Sequence, residues 1–208
     1  MNARAPFSAP YPAMKRCLDL AVALLLLILI SPVVAASLAA VWVDSGSPVI
    51  HRRRVLGRHG RPFDAYKIRT MVQEADALIA ANTELRQVYS ESRKVEGDPR
   101  VTRVGRWLRR SSIDELPQLM NVVRGQMSLV GPRMITPEEL PAWGATGSLL
   151  LAVRPGITGL WQVSGRQRLS RAERIRLDAL YVQRMSILLD IRILARTIPA
   201  VLSGKGAL

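Results

Sequence analysis

Asp114 and Glu115 stand side by side in Ser112-Ile113-Asp114-Glu115-Leu116-Pro117-Gln118, and Gly131-Pro132-Arg133 closes the same stretch, residues 111–133. Adjacent carboxylates followed by a guanidinium at a stiff turn are parts that phosphoryl transfer can use. One carboxylate can act as nucleophile or metal ligand, its neighbour can orient the reacting groups, and a fixed cation offsets anionic oxygens. A carboxylate at a helix start is also held as the anion by the free N–H groups there. The same residues have a plainer reading. Ser112-x-x-Glu115 fits a capping box, or Asp114 is itself the cap with Pro117 at a position whose missing N–H costs nothing. Lys67, Arg69 and Arg133 are candidates for charge stabilisation; each also reads as surface charge in so basic a chain.

The elements around this stretch set what the chemistry acts on. The chain has 208 residues and a formal charge of +14, and all but four of its 30 basic residues (Lys15, Lys67, Lys94 and Lys205) are arginines. Arg offers bidentate geometry to phosphate and keeps its charge. The balance suits nucleic acid, an anionic membrane surface or phosphorylated small molecules. The single cysteine, Cys17, excludes an intrachain disulfide framework and a cysteine-rich zinc site. Placed after Lys15-Arg16, it reads as a buried or membrane-edge side chain, with a reactive or lipidated thiol as the sharper reading.

Residues 20–43 carry no charge, a run long enough to enter a bilayer. It continues past the small residues Ala35-Ala36-Ser37, which argues against a cleaved leader. Ser31-Pro32 sits near its middle, and proline kinks or breaks a helix. Each half would rise roughly 17 Å, about half a hydrocarbon core. Both flanks are basic, Lys15 and Arg16 before and Arg52, Arg53, Arg54, Arg58 and Arg61 after, so charge bias puts neither end on the opposite side. A re-entrant helix-break-helix that enters and leaves on the cytoplasmic face fits both facts; a proline-kinked spanning helix is the competitor.

The domain organisation expected is a flexible N-terminus (1–14), a re-entrant membrane helix (15–45) and a small cytoplasmic, membrane-associated catalytic domain (46–208). Its fold class is α+β, predominantly helical, in a monotopic membrane protein. A strand from Val49-Ile50, a turn over residues 57–62 and a strand over residues 63–68 form a hairpin. A helix runs from about Thr70 to Tyr89, followed by a polar loop over residues 90–99. Val101, Val104, Trp107 and Leu108 recur at helical spacing among arginines, a basic amphipathic helix suited to a membrane surface or to the core. A short helix places Leu116, Leu119, Met120 and Val123 inward and ends at Gly125. Further helical pieces are expected over residues 137–143 and 148–153. Residues 154–168 read as Gly-rich and largely non-helical, residues 170–186 as a charged helix, and residues 187–202 as a core or interfacial helix.

From about Met14 to Ser203 the chain resembles the bacterial sugar transferases, the monotopic phosphoglycosyl transferases that load phospho-sugars onto polyprenyl phosphate. The resemblance rests on ordered blocks. They run from Lys15-Arg16-x-x-Asp19, Ser31-Pro32 and Gly46-x-Pro48 through Tyr66-Lys67-x-Arg69-Thr70-Met71 and Asp98-Pro99-Arg100. They continue with the two stretches above, then Arg154-Pro155-Gly156-Ile157-Thr158-Gly159-Leu160-Trp161-Gln162-Val163-Ser164-Gly165-Arg166, Asp178-x-x-Tyr181 and Asp190-Ile191. The resemblance implies transfer of a sugar-1-phosphate from a UDP-sugar to undecaprenyl phosphate with release of UMP, in exopolysaccharide, capsule or glycan assembly. It makes Asp114 the nucleophile that forms a phospho-sugar intermediate and the expected ligand of Mg²⁺, and Glu115 its partner. It supports a re-entrant helix broken at Ser31-Pro32 and places the enzyme at the cytoplasmic face of the bacterial inner membrane. Lys67 and Arg133 are then expected on phosphate, with Arg69 and Arg154 beside them and Gln162 and Arg166 shaping the donor or sugar pocket. A homo-oligomer or glycan-pathway enzymes are further expected partners.

Met134 stands where many members carry a second proline, and Arg53 and Val55 where Gln and Arg are common, departures that bear on pocket shape and substrate choice. The chain reads as the minimal catalytic form, without the added N-terminal membrane helices of larger relatives. The competing class is a membrane-tethered basic nucleic-acid-binding protein without enzymatic activity, which the charge permits but no zinc-finger or aromatic RNA-binding signature supports. The reading taken is of no nucleic-acid partner.

Overall fold

The computed structural model describes residues 11–81, 97–165 and 168–202. The expected N-terminal tail up to residue 10, the expected helix beyond residue 81, most of the polar loop, and Arg166 lie outside them. Most described residues are helical, with two small two-stranded sheets.

Helix α1 (Tyr11–Ser45) is one element of 35 residues with Pro32 inside it. The expected division into two helices at Ser31-Pro32 is corrected: the helix carries the proline through. The reason is local. Proline cannot serve the carbonyl four residues back, here that of Ile28, and Ser31 Oγ donates to that oxygen at 2.9 Å instead. Tyr11, Lys15, Asp19, Ala23, Ser37 and Val41 are buried on one face at near-helical spacing. Leu24, Leu25, Ile28, Leu29, Val33 and Val43 are exposed. The helix starts earlier than expected because Tyr11 is held: its hydroxyl donates to Asp190 Oδ2 at 3.0 Å, beside Lys15 Nζ at 2.9 Å on the same oxygen. Tyr181 OH donates to Asp190 Oδ1 at 2.7 Å, so a buried carboxylate collects three donors from α1 and the C-terminal helices.

Strands β1 (Ile50–Leu56) and β2 (Pro62–Ile68) form the expected antiparallel hairpin, with His51 opposite Lys67 and Arg53 opposite Ala65. Opposed residues share a face, so His51, Arg53 and Lys67 line one side. Helix α2 (Ala75–Ala81) follows. Helix α3 (Arg103–Ser111) is the amphipathic helix; Thr102 caps it by accepting from Gly105 N at 2.9 Å. Leu108 is buried against the core, as the core reading of this helix expects, and Trp107 is exposed. A 3₁₀ turn (Ile113–Glu115) leads to α4 (Gln118–Val123).

Beyond α4, β3 (Ser128–Val130) pairs in parallel with β4 (Gly156–Thr158), and between them lie a 3₁₀ turn (Leu140–Trp143) and α5 (Gly144–Leu151). Helices α6 (Leu160–Ser164), α7 (Arg171–Gln183) and α8 (Ile187–Leu202) complete the described chain. Strand β4 fits the largely non-helical reading of residues 154–168, and the five-residue α6 is the exception to it. The strand is made by backbone pairing, not side-chain pattern: Gly156 N donates to Pro132 O at 2.9 Å, and a Cβ on Gly156 would lie 2.1 Å from Gly131 N. Two glycines facing each other let these backbones meet.

The main core joins α1 (Ala23) to the hairpin (Val55, Phe63, Ala65), α4, β3 and the C-terminal helices. A second cluster joins the other end of α1 (Val41, Leu38) to Ile68, Leu108, Val104 and Ile113. The helix is thus anchored near both ends, and its second anchor lies one residue from Asp114.

Candidate active site

Helix α3 stops at Ser112, whose φ of 57° is left-handed and whose N–H returns to Arg109 O and Leu108 O. This ends the capping expectations. Ser112 makes no side-chain cap bond, and both acids lie inside the 3₁₀ turn. The turn reverses direction so that Asp114 points into the body, 8 % exposed, while Glu115 turns to the hairpin.

Glu115 Oε1 accepts from Lys67 Nζ at 2.5 Å. Asp114 has no side-chain hydrogen-bond partner among the described residues, and burial pushes its carboxyl up to about 6; the Lys67 charge opposes this, Glu115 adds to it and Arg109 opposes it. Arg109 is itself lowered chiefly by burial, with Asp114 pulling the other way, and its Nε donates to Thr70 Oγ1 at 2.8 Å. Burial first, then Lys67 and Arg53, lower His51. The site is therefore a buried carboxylate that feels the charges of Lys67 and Arg109, with its neighbour salt-bridged to Lys67. Arg109 and His51 were not singled out in the sequence. Arg109 lies one helical turn plus one residue before Asp114, but among four arginines on one short helix spacing alone does not separate it.

Arg133 lies along the same hairpin face. Its Nη2 donates to Glu139 Oε1 at 3.5 Å, and that carboxylate also meets Arg53 Nη2 at 3.7 Å. Arg53 is two residues from His51 on one face of β1, about 7 Å. The Gly-Pro-Arg turn is held from below by Asp178, whose Oδ2 accepts from Arg133 N at 3.2 Å. Burial pushes the Asp178 carboxyl up to about 7, against the Arg133 backbone and charge.

The other expected site residues stand elsewhere. Arg69 Nη2 donates to Ser45 O, Ser45 Oγ and Gly46 O at 2.6–2.8 Å, closing the C-terminus of α1. Gln162 Nε2 donates to Ile157 O at 2.9 Å, bracing its own loop. Arg154 Nε donates to Gly125 O at 2.7 Å, past the C-terminal end of α4, whereas the acidic pair precedes its N-terminal end. Among the described residues no group of three or more His, Cys, Asp or Glu comes together.

Comparisons with known proteins bear on the chain as a whole. The model of the family described as bacterial sugar transferase matches residues 10–204. The exopolysaccharide production protein ExoY of Sinorhizobium fredii (strain NGR234) is 40 % identical over 197 residues, covering 93 % of this chain and 87 % of that one. The undecaprenyl-phosphate galactose phosphotransferase of Salmonella typhimurium is 40 % identical over 198 residues, 93 % of this chain and 41 % of its own length. The galactosyl transferase CpsE of Streptococcus agalactiae is 41 % identical over 194 residues, 93 % of this chain and 43 % of its own. With a family match over nearly the whole sequence and the acidic pair, hairpin lysine and Gly-Pro-Arg turn in place, the chain belongs to the bacterial sugar transferases.

Proposed function

We propose that this chain transfers a sugar-1-phosphate from a UDP-sugar to undecaprenyl phosphate, at the cytoplasmic face of the bacterial inner membrane, as a first membrane step of exopolysaccharide, capsule or glycan assembly. The observation that carries it is Asp114, a buried carboxylate in the fields of Lys67 and Arg109 that is held by a backbone N–H and by no side chain among the described residues. Such a group is ionised in large part at neutral pH and free to attack.

In the first step an Asp114 oxygen attacks the β-phosphorus of the donor. The bond from that phosphorus to the bridging oxygen breaks, and UMP leaves with the electron pair. In the second step an oxygen of the lipid phosphate attacks the same phosphorus. The Asp114–phosphorus bond breaks, the carboxylate is regenerated, and a lipid-linked diphosphate sugar departs. Lys67 and Arg109 offset charge on the phosphoryl oxygens, and Glu115 holds Lys67 in place. Arg53 and Arg133, which share Glu139, would meet the rest of the donor diphosphate. Splitting the transfer in two lets a soluble donor and a lipid acceptor react in turn.

The donor set suits Mg²⁺, which takes one or two carboxylates with substrate phosphates and water. Asp114 would hold it, and the ion when bound would neutralise phosphate charge.

The membrane placement follows α1. At 1.5 Å per residue a 35-residue helix extends roughly 52 Å, yet both ends are tied to one body. Arg16 Nη1 and Nη2 donate to Val122 O and Val123 O, and Ser45 accepts from Arg69. A spanning helix would put those anchors on opposite faces; a re-entrant one, entering and leaving on one face, keeps them together. Trp42 and Trp107, both exposed, lie near the acidic pair's end of the helix as an interfacial belt would.

A panel of UDP-sugars with undecaprenyl phosphate and Mg²⁺, read by UMP release and lipid product, should give turnover with at least one donor. No product with any donor would overturn the assignment. Thiol-reactive labels at introduced cysteines before residue 20 and after residue 43, in a Cys17→Ser background, should be quenched from the same face; quenching from opposite faces refutes re-entry.

A further inference from the structure

At the end of α1 away from the acidic pair, three guanidiniums meet in one pocket. Arg16 is fixed by Val122 O at 2.7 Å and Val123 O at 2.9 Å, Arg154 by Gly125 O at 2.7 Å, and Arg58 by Ala152 O at 3.1 Å. These residues, with Lys15 and Asp19, line the same cleft. Each arginine touches a carbonyl through one edge, as expected near helix C-termini. Capping alone accounts for each contact but not for the convergence. Lys15 is taken up by Asp190, and Asp19 Oδ1 by Leu129 N at 3.0 Å, leaving one partly engaged carboxylate for three guanidiniums. Neither Nη of Arg58 or Arg154 has a hydrogen-bond partner among the described residues, and each guanidinium carries five donors. Burial first, then the charges of Arg16 and Arg58, lower Arg154, so an anion there would relieve like-charge crowding. The pocket adjoins residues 11–19 of α1, and the uncharged run begins at Leu20. Leu20 lies five helical steps beyond Lys15, about 7 Å, which puts the cleft at headgroup depth once the run is in a bilayer.

We propose that Arg16, Arg58 and Arg154 form a second phosphate site, distinct from the acidic pair and across α4 from it, that binds the phosphate of a membrane-lipid headgroup and fixes how deep the first turns of α1 sit. The placement rests on α1 lying in the bilayer, and the binding does not rest on sugar-phosphate transfer.

The test is titration of the purified full-length chain, in an uncharged detergent, with short-chain phosphatidic acid, phosphatidylcholine and inorganic phosphate, bound ligand being counted by native mass spectrometry. Saturable binding of phosphatidic acid is expected, with Arg58→Gln weakening it about threefold and Arg58→Gln with Arg154→Gln about tenfold or more, since each removes charge-assisted bonds. Arg58 is exposed, so the single variant reports even if the double variant folds poorly. Equal affinity in wild type and Arg58→Gln overturns the site. Inorganic phosphate binding as tightly as phosphatidic acid overturns the lipid assignment in favour of a soluble phosphate, and equal binding of phosphatidylcholine overturns headgroup-charge recognition. Transfer measured in parallel separates the two readings: a chain that binds the lipid and lacks transfer with every donor overturns the proposed reaction and leaves this site standing.

Discussion

Replacing Asp114 with Asn abolishes sugar-phosphate transfer and, at pH 8, makes the folded chain more stable. Asparagine has the shape of aspartate but cannot form the acyl-phosphate bond, and loss of a nucleophile typically lowers turnover on the order of 10⁴-fold or more. The stability change has a defined sign. The carboxyl is raised from 3.8 to about 6 on folding, burial being the main cause. The folded state therefore binds more protons than the unfolded one between those values. The extra stability is present in full below about 4 and is lost as pH rises through about 6. At pH 8 the wild type carries a buried charge whose cost is on the order of 2–3 kcal/mol, and the neutral amide removes it. Asp178, raised to about 7, contributes the same sign, so the difference between wild type and variant isolates Asp114. Thermal melts at pH 5 and pH 8, with UMP release alongside, measure both effects. Full activity sinks the nucleophile assignment; a melting difference that does not vary with pH sinks the account of burial.

A single methyl group at Gly105 should be nearly as damaging, although the residue touches no substrate. A Cβ there would lie 2.1 Å from Thr70 O and 2.7 Å from Thr70 C, both backbone atoms. Thr70 cannot yield freely. Its carbonyl accepts from Thr102 N at 3.1 Å, and its hydroxyl accepts from Arg109 at 2.8 Å. Gly105→Ala must push α3 off the Thr70 backbone that follows β2, which loosens Leu108 and shifts Arg109. Overpacking of this kind costs about 3 kcal/mol, a fall in Tm of roughly 6 °C or more for a chain of this size. Displacing Arg109 by about 1 Å should lower transfer on the order of 100-fold. Circular-dichroism melts of the detergent-solubilised variant and its UMP release check both, and an unchanged Tm would refute the close approach of α3 to the Thr70 backbone.

What could be read before folding was whatever neighbours within a few residues decide. The β1–β2 hairpin follows from the turn residues and the flanking apolar positions, and α8 from its apolar run. The apolar stretch, its central proline and the hydroxyl of Ser31 beside it are equally local, although their result is one helix carrying the proline and not two. Asp114 and Glu115 could be picked out because the Gly-Pro-Arg turn and the ordered family blocks surround them; alone they read as a capped helix start. Their capping reading failed at Ser112, whose left-handed backbone is set by the end of α3.

The arginines show the opposite case. Arg69, Arg109, Arg133 and Arg154 carry the same side chain, and spacing along the chain does not say which carbonyl, carboxylate or hydroxyl each will meet. Contacts across 24 residues for Arg69 and 39 for Arg109 decide that one closes α1 and the other faces Asp114. The parallel pairing of β3 with β4 is likewise non-local and rests on two glycines facing each other. By itself the sequence determined the local elements, the acidic pair and the likeness to its family, because propensity, turn chemistry and motif order act over short stretches of chain. Only the tertiary structure decided which cations surround Asp114, which brace the backbone and which gather at the far end of α4, because a guanidinium's role is set by the partner that packing brings within hydrogen-bond reach.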